Sequence, residues 1–312
     1  MEKRKTDPLT NKVDEELISA KPSHIKFSKL QGAGNDYIAI DGRGLNLDFS
    51  LLSKNMSRPH FGVFSDGIVV VENSEISDIK MRVFNPDGSE AEMSGNGIRL
   101  FSKFVLDNKI VEFNSKELEI ETLGGIRTVF PKMQKGKMIS GKVAMGIPKF
   151  KCSEIPVLKD EFFDDKIVFD YILDIEDDSL EISCVNIGNP HAVHITDIPV
   201  EEFDLKKIGP LVENHRIFPN RINFEIVNVI SESVIKARIF ERGAGETLSS
   251  GTGSSASAII AMTHNLVKKD VEVNVPGGSL FISWNQGEEV YLEGPTEEVF
   301  TGEWPVTYFP LK

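Results

Sequence analysis

Cysteine is nearly missing from this 312-residue chain: only Cys152 and Cys184 occur, and no CxxC spacing joins them. A disulfide framework and a cysteine-based metal site are therefore not expected, and a reduced, cytoplasmic setting is. No apolar run approaches the roughly 18 residues of a membrane-spanning helix, so no membrane partner is expected. Basic charge is in deficit as well. Against 48 Asp and Glu stand 35 Lys and Arg, a formal net charge of −13. With no basic stripe to offset it, such a surface makes nucleic acid and anionic lipid poor partners. A third glycine is lacking where a dinucleotide fingerprint needs one. Gly32-Ala33-Gly34 is followed by Tyr37 and a strand-like run, which excludes a Rossmann reading.

What is present is the composition of a globular protein, 40% hydrophobic and 27% charged, in a chain long enough for two domains. Residues 1–23 form a polar extension with five basic and five acidic side chains. It lacks the apolar core of a signal peptide and is too acidic for a transit peptide. Beyond it the chain repeats itself. Arg82 to Gly97 reads RVFNPDGSEAEMSGNG, and Arg238 to Gly253 reads RIFERGAGETLSSGTG. Laid together without a gap, these pair Arg82 with Arg238, Phe84 with Phe240, Glu90 with Glu246 and Ser94 with Ser250. Gly95 then meets Gly251 and Gly97 meets Gly253, every pair 156 residues apart. A weaker echo sets Gly34-Asn35 against Gly188-Asn189 at an offset of 154. Such periodicity points to a duplicated unit.

Each copy runs from a β-branched, aromatic stretch through a turn-rich loop into Ser-Gly-x-Gly opening a helix. The pattern predicts helices over Ile98 to Leu106 and after Gly253, with shorter ones over Phe49 to Met56 and Phe203 to Ile208. The last of these is expected to stop at Gly209-Pro210. Strands are expected at His24 to Lys29, Tyr37 to Ile40, Ile68 to Val71, Lys80 to Phe84, Glu112 to Thr122, Thr128 to Phe130 and Met138 to Met145. In the second half they fall at Lys166 to Leu173, Glu181 to Val185, Ala192 to Ile195, Ile222 to Ile230 and Val234 to Phe240. Val271 to Val275, Ser279 to Trp284 and Glu289 to Glu293 complete the set. The class is α+β, dominated by strands, with one long helix per half.

A helix opened by Ser-Gly-x-Gly presents free N–H groups and the positive end of a dipole. Its glycines let an anion approach the backbone. One such turn is an ordinary serine N-cap. Two related turns facing one cleft would spread the charge of a bound carboxylate over fixed dipoles and stabilise the carbanion left by an α-proton. Two side chains on opposite faces of that carbon would then remove and return the proton.

The motifs FSKLQGAGNDYIAID, FNPDGSEAEMSGNG, GNPH, FPNRIN and ERGAGETLSSGTG resemble those of the diaminopimelate epimerases, in the family's order from about residue 26 to 300. The resemblance implies two mirrored domains, each a curled mixed sheet around a central helix, with the last strand returning to the first domain. We place the boundaries at 24–146 with 297–312 for one and 147–296 for the other. It implies a cofactor-independent conversion of LL- to meso-diaminopimelate in lysine biosynthesis, no metal, and a homodimer. It makes Asn35, Asn85, Asn189, Asn223, Glu241 and Arg242 substrate ligands, joined at the helix tips by Gly95, Asn96, Gly251 and Thr252. His191 and Glu241 match the groups that assist the family's two acid/base residues. Each Asn taken alone is equally a turn residue, and a lone His more often serves structure.

The family's acid/base residues are cysteines, and the matching positions here are Ser94 and Ser250. Ionising a thiol at neutral pH costs about 2 kcal/mol and an unassisted hydroxyl about 12 kcal/mol. The gap of ~10 kcal/mol is about seven powers of ten in rate, of which His191 and Glu241 recover a part as bases. Turnover is expected to be slow. Two alternatives stay open: a serine-type epimerase or dehydratase of another amino acid on the related proline-racemase plan, and a homologue that binds an amino acid without reacting it.

Overall fold

The computed structural model describes residues 23–113, 115–158, 166–176 and 178–306. The 1–23 extension, apart from Ser23, and the end of the 297–312 segment beyond Val306 lie outside these residues. The first half carries β1 (His24–Gly32), β2 (Asn35–Asp41), α1 (Phe49–Met56), β3 (Ile68–Glu72), β4 (Ile79–Phe84) and β5 (Glu90–Ala91). It continues through α2 (Gly95–Asp107), β6 (Leu118–Thr122), β7 (Gly125–Gln134) and β8 (Lys137–Gly146). The second half carries β9 (Tyr171–Ile175), β10 (Asp178–Asn186), β11 (Pro190–Ile195), α3 (Leu205–Glu213), β12 (Asn223–Ser231) and β13 (Val234–Glu241). Then come β14 (Gly245–Thr247), α4 (Gly251–Thr263), β15 (Asp270–Val275), β16 (Gly278–Ser283), β17 (Val290–Pro295) and the returning β18 (Glu297–Pro305).

The duplication is written into the register. In the first half Ile68 faces Phe84 across β3 and β4, and in the second Phe224 faces Phe240 across β12 and β13, both partners shifted by 156. β2 lies parallel to β3 as β11 lies parallel to β12. β4 runs parallel to β6, and β13 parallel to β15. The halves are joined where β8 pairs antiparallel with β17, Gly141 opposite Gly294. At the far edge β18 pairs antiparallel with β1, so the last strand returns to the first half.

Each curled sheet wraps one helix. Every residue of α2 from Gly95 to Leu106 is buried, as are ten residues of α4. A helix enclosed on all sides must satisfy its polar side chains inside the protein, as Lys103 of α2 does with Asp107 Oδ2 at 2.8 Å and Met138 O at 2.7 Å. α4 therefore consists largely of Gly, Ala, Ser and Ile, and its Ser255 and Ser257 hydroxyls donate back to the Gly251 and Gly253 carbonyls, each at 2.9 Å. Ile98 and Phe101 of α2, Ile259 and Ile260 of α4, and Val143, Val290 and Leu292 of the joining strands belong to one continuous apolar core. Smaller clusters lie on the outer faces, under α1 in the first half and under α3 in the second.

Three expectations change. The helix over 203–208 begins at Leu205 and runs through Pro210 to Glu213. Proline withholds one N–H from the carbonyl of exposed Lys206, and the next turn closes through Asn214 N–H to Pro210 O at 3.2 Å. The strand over 112–122 shrinks to β6, because only Leu118 to Thr122 has a partner in β7. The strand over 166–173 begins at Tyr171, with Ile167 contributing an isolated bridge to Lys151. The two-residue β5 and three-residue β14 carry too little pattern to be read beforehand.

Candidate active site

Ser94 and Ser250 cap α2 and α4 in the same conformation, with φ/ψ of −136°/122° and −133°/127°. Their hydroxyl oxygens accept from Gly97 N at 3.0 Å and Gly253 N at 3.3 Å. Both are therefore N-caps as well as candidate reacting groups. The two helix tips abut. A Cβ built on Gly251 would lie 3.5 Å from Gly95 Cα and from Asn96 Oδ1, and 2.9 Å from Leu292 Cδ2. The residues directly after the two serines thus leave no more than the space of one methyl group between them, and both positive helix ends converge there.

Around Ser250 the chemistry is that of an acid/base pair. Glu241, at the end of β13, accepts from Thr247 Oγ1 at 2.8 Å and lies near enough to the Ser250 hydroxyl for it to favour the ionised carboxylate. Burial raises its carboxyl above the ordinary range, and Thr247, Ser250 and His191 oppose that rise. Thr252 Oγ1 lies 3.5 Å from Ser250 Oγ. His191, fully buried on β11, has Nδ1 2.6 Å from Glu225 Oε1 and Nε2 2.8 Å from Asn189 Oδ1. Burial also raises Glu225, with His191 opposing, and Glu225 Oε2 has no hydrogen-bond partner among the described residues. His191 therefore touches the site through Asn189 rather than through a serine.

The groups that hydrogen-bond Ser94 are neutral. Tyr37, buried on β2, donates its hydroxyl to Ser94 Oγ at 3.1 Å. Burial, with Asp66 and Glu241 nearby, lifts the phenol well above its usual range and keeps it protonated. That Glu241 acts on Tyr37 as well as on Ser250 places the surroundings of both serines within one electrostatic neighbourhood.

The other sequence-predicted ligands divide by what holds them. Asn35 donates to Asp66 Oδ2 at 2.5 Å, and Asn85 donates to Ser89 Oγ at 2.9 Å, both half-buried. Asn223 is a clamp: Nδ2 donates to Pro190 O at 2.7 Å and Oδ1 accepts from Arg242 N at 2.9 Å. Arg242 is exposed, and its guanidinium donates to Asn220 O at 3.0 Å. Asn96 Oδ1 accepts from Arg99 at 2.8 Å.

Sequence reasoning passed over Tyr37, Asp66, Glu225 and Arg99. For Tyr37 a signal existed: the 154-residue echo that aligns Asn35 with Asn189 also aligns Tyr37 with His191. Arg99 is fully buried, donates to Gly95 O at 3.0 Å, and has no carboxylate partner among the described residues. Burial pushes its guanidinium down to about 10. Among the described residues no three His, Cys, Asp or Glu side chains gather as a metal site, and no helix is long and apolar enough to cross a membrane. A surface groove of about 620 Å³ lies at the opposite end of α2, beside Phe104 and Asn108, and contains none of these residues.

A duplicated curled sheet around paired helices defines a fold class that solved structures share. The solved structure of a hydroxyproline epimerase from Agrobacterium vitis matches 91% of this chain and 93% of its own at a TM-score of 0.66 and 12% identity. A Bacillus anthracis phenazine biosynthesis protein of the PhzF family matches 91% and 99% at a TM-score of 0.62 and 18% identity. Within that class the chain belongs to the diaminopimelate epimerase family, whose sequence pattern matches residues 27–151 and 183–299. Diaminopimelate epimerases of Methanococcus maripaludis and Acetivibrio thermocellus are each 42% identical over 281 residues, 89% of this chain. The match covers 99% and 98% of those proteins.

Proposed function

We propose that this protein interconverts LL- and meso-diaminopimelate without a cofactor, by proton transfer across the α-carbon between Ser94 and Ser250. The observation that carries this reading is the meeting of the two helix tips, each capped by one of the serines and offering its first N–H groups. A substrate α-carboxylate at that junction is held by both dipoles, and the negative charge that develops as the α-proton leaves is spread over them. Glu241 draws on the Ser250 hydroxyl from behind and raises its basicity. Asn35, Asn85, Asn189, Asn223, Glu241 and Arg242 form the surrounding substrate set, with Gly95, Asn96, Gly251 and Thr252 at the tips. The domains run from 24 to 146 with 297 to 312, and from 147 to 296, and the site lies between them. With hydroxyls in place of thiols turnover is slow. The place in the cell is the cytoplasm, in lysine biosynthesis, and the assembly is a homodimer.

The test is incubation with each diaminopimelate isomer in heavy water, following the α-proton signal by NMR. Exchange with inversion is the expected result. Calorimetric binding without any exchange would make the protein a binding homologue. Failure to bind either isomer would overturn the reading.

A further inference from the structure

The two serine hydroxyls are held in opposite senses. Ser94 Oγ accepts twice, from Tyr37 Oη–H at 3.1 Å and from Gly97 N–H at 3.0 Å. An oxygen that accepts from two donors keeps its own hydrogen free to give, and the charge left behind falls on those donors. Ser250 Oγ accepts from Gly253 N–H and has the Glu241 carboxylate near it as a proton acceptor. That hydroxyl is set to take a proton while passing its own to Glu241. The asymmetry comes from substitutions inside one repeated frame. Tyr37 occupies the position that His191 holds in the other half, and Asn85 the position of Glu241, 156 residues on.

We infer that Tyr37 is a positioning residue that makes Ser94 the proton-donating hydroxyl, refilling it from behind as Glu241 drains Ser250. This rests on the epimerase reading for the identity of the substrate. The α C–H bond breaks toward Ser250 Oγ, whose proton moves to Glu241, and the electron pair stays on carbon. The Ser94 O–H bond then breaks toward the opposite face, and the Tyr37 proton moves to Ser94. The charge rests on a phenolate instead of an alkoxide, the lower in energy because a phenol spreads the charge over its ring and, though burial lifts it, ionises more readily than an aliphatic hydroxyl in the same surroundings. Water returns a proton to Tyr37 and removes one from Glu241, which closes the cycle.

The contact is tested without substrate. In the single variants Ser94→Cys and Ser250→Cys, the introduced thiol is titrated by the pH dependence of its alkylation rate. The unsubstituted protein supplies the background from Cys152 and Cys184, both buried. Adding Tyr37→Phe, which keeps the buried ring and removes only the hydroxyl, is expected to raise the thiol pKa of the Ser94→Cys variant by about one unit. The same change should leave the Ser250→Cys thiol where it was. No shift at the first position, or an equal shift at both, overturns the assignment. Should a cysteine variant fail to fold, Tyr37→Phe alone decides. At unchanged diaminopimelate Kd its α-proton exchange in heavy water should fall at least tenfold, and undiminished exchange overturns the inference. A parent protein that binds no diaminopimelate sinks the epimerase reading while the thiol titration still judges Tyr37.

Discussion

The two halves of this molecule share a backbone and differ in what stands behind each helix tip. Arg82 Nε donates to Glu90 Oε1, and Arg238 Nε to Glu246 Oε1, each at 2.7 Å. The serine caps share φ and ψ to within 5°. Yet one serine accepts from a phenol, whereas the other lies near a carboxylate whose pKa a buried imidazole also influences. The outer contacts differ as well. The turn at Ala33-Gly34 packs on Leu248 and Gly277 of the second half, whereas the matching turn at Gly188 has nothing within 4 Å of a Cβ position. A duplicated frame can hold a symmetric reaction centre in place, and substitutions that leave the registers intact then give the two sides separate chemical roles.

The strongest way to sharpen the comparison is to restore thiols on both sides. Ser94→Cys with Ser250→Cys should raise diaminopimelate epimerisation by several powers of ten, up to about 10⁷. Steady-state kinetics measure the gain, and a double variant no faster than the parent would show that these caps are not the reacting pair.

Breaking the closed side comes next. A Cβ at Gly277 would sit 1.9 Å from Ala33 O, while at Gly124, its counterpart, the nearest atom is 3.4 Å away. Gly277→Ala should cost about 3 kcal/mol in urea unfolding, and Gly124→Ala less than about 0.5 kcal/mol. Equal costs would mean that the turn at 33–34 does not close on the second half.

Smaller is the difference between the paired arginines. Arg238 also donates to Val200 O at 2.6 Å and Phe203 O at 2.8 Å, with a side chain 16% exposed. Arg82 adds Glu72 and a stacking contact over the Phe84 ring at 4.8 Å, and is 30% exposed. Arg238→Ala should lose about 2–3 kcal/mol, and Arg82→Ala under about 1 kcal/mol because solvent screens its ion pairs. Reversed values in denaturant titrations would contradict the picture.

The smallest effect is a matter of pH. A carboxyl whose folded pKa is raised, as burial raises Glu241, binds its proton more tightly folded than unfolded. Its contribution to stability is greatest below the ordinary carboxyl range and falls as pH rises through the raised value. Glu241→Gln should therefore gain about 2–4 °C in Tm at neutral pH and nothing near pH ~4, while losing activity. The counterpart Asn85→Ala should show no such pH dependence. A Glu241→Gln variant less stable than the parent at neutral pH and equal to it in acid would reverse the sign argued here.

The sequence by itself determined the class, the duplication, the caps and most strands. Those signals are local: a serine that bonds the N–H three residues on, glycines at the start of a helix, and β-branched residues in strands. Even the offsets of 156 and 154 carried through to the strand register. Only the tertiary structure decided that Tyr37 meets Ser94 and that Glu241 meets Ser250. It also decided that Asn223 spends its amide on the backbone and that Arg99 is buried without a carboxylate partner among the described residues. Each of these joins residues far apart in the chain, and which side chain fills a given space there is set by how two sheets curl around two helices, which no local pattern records.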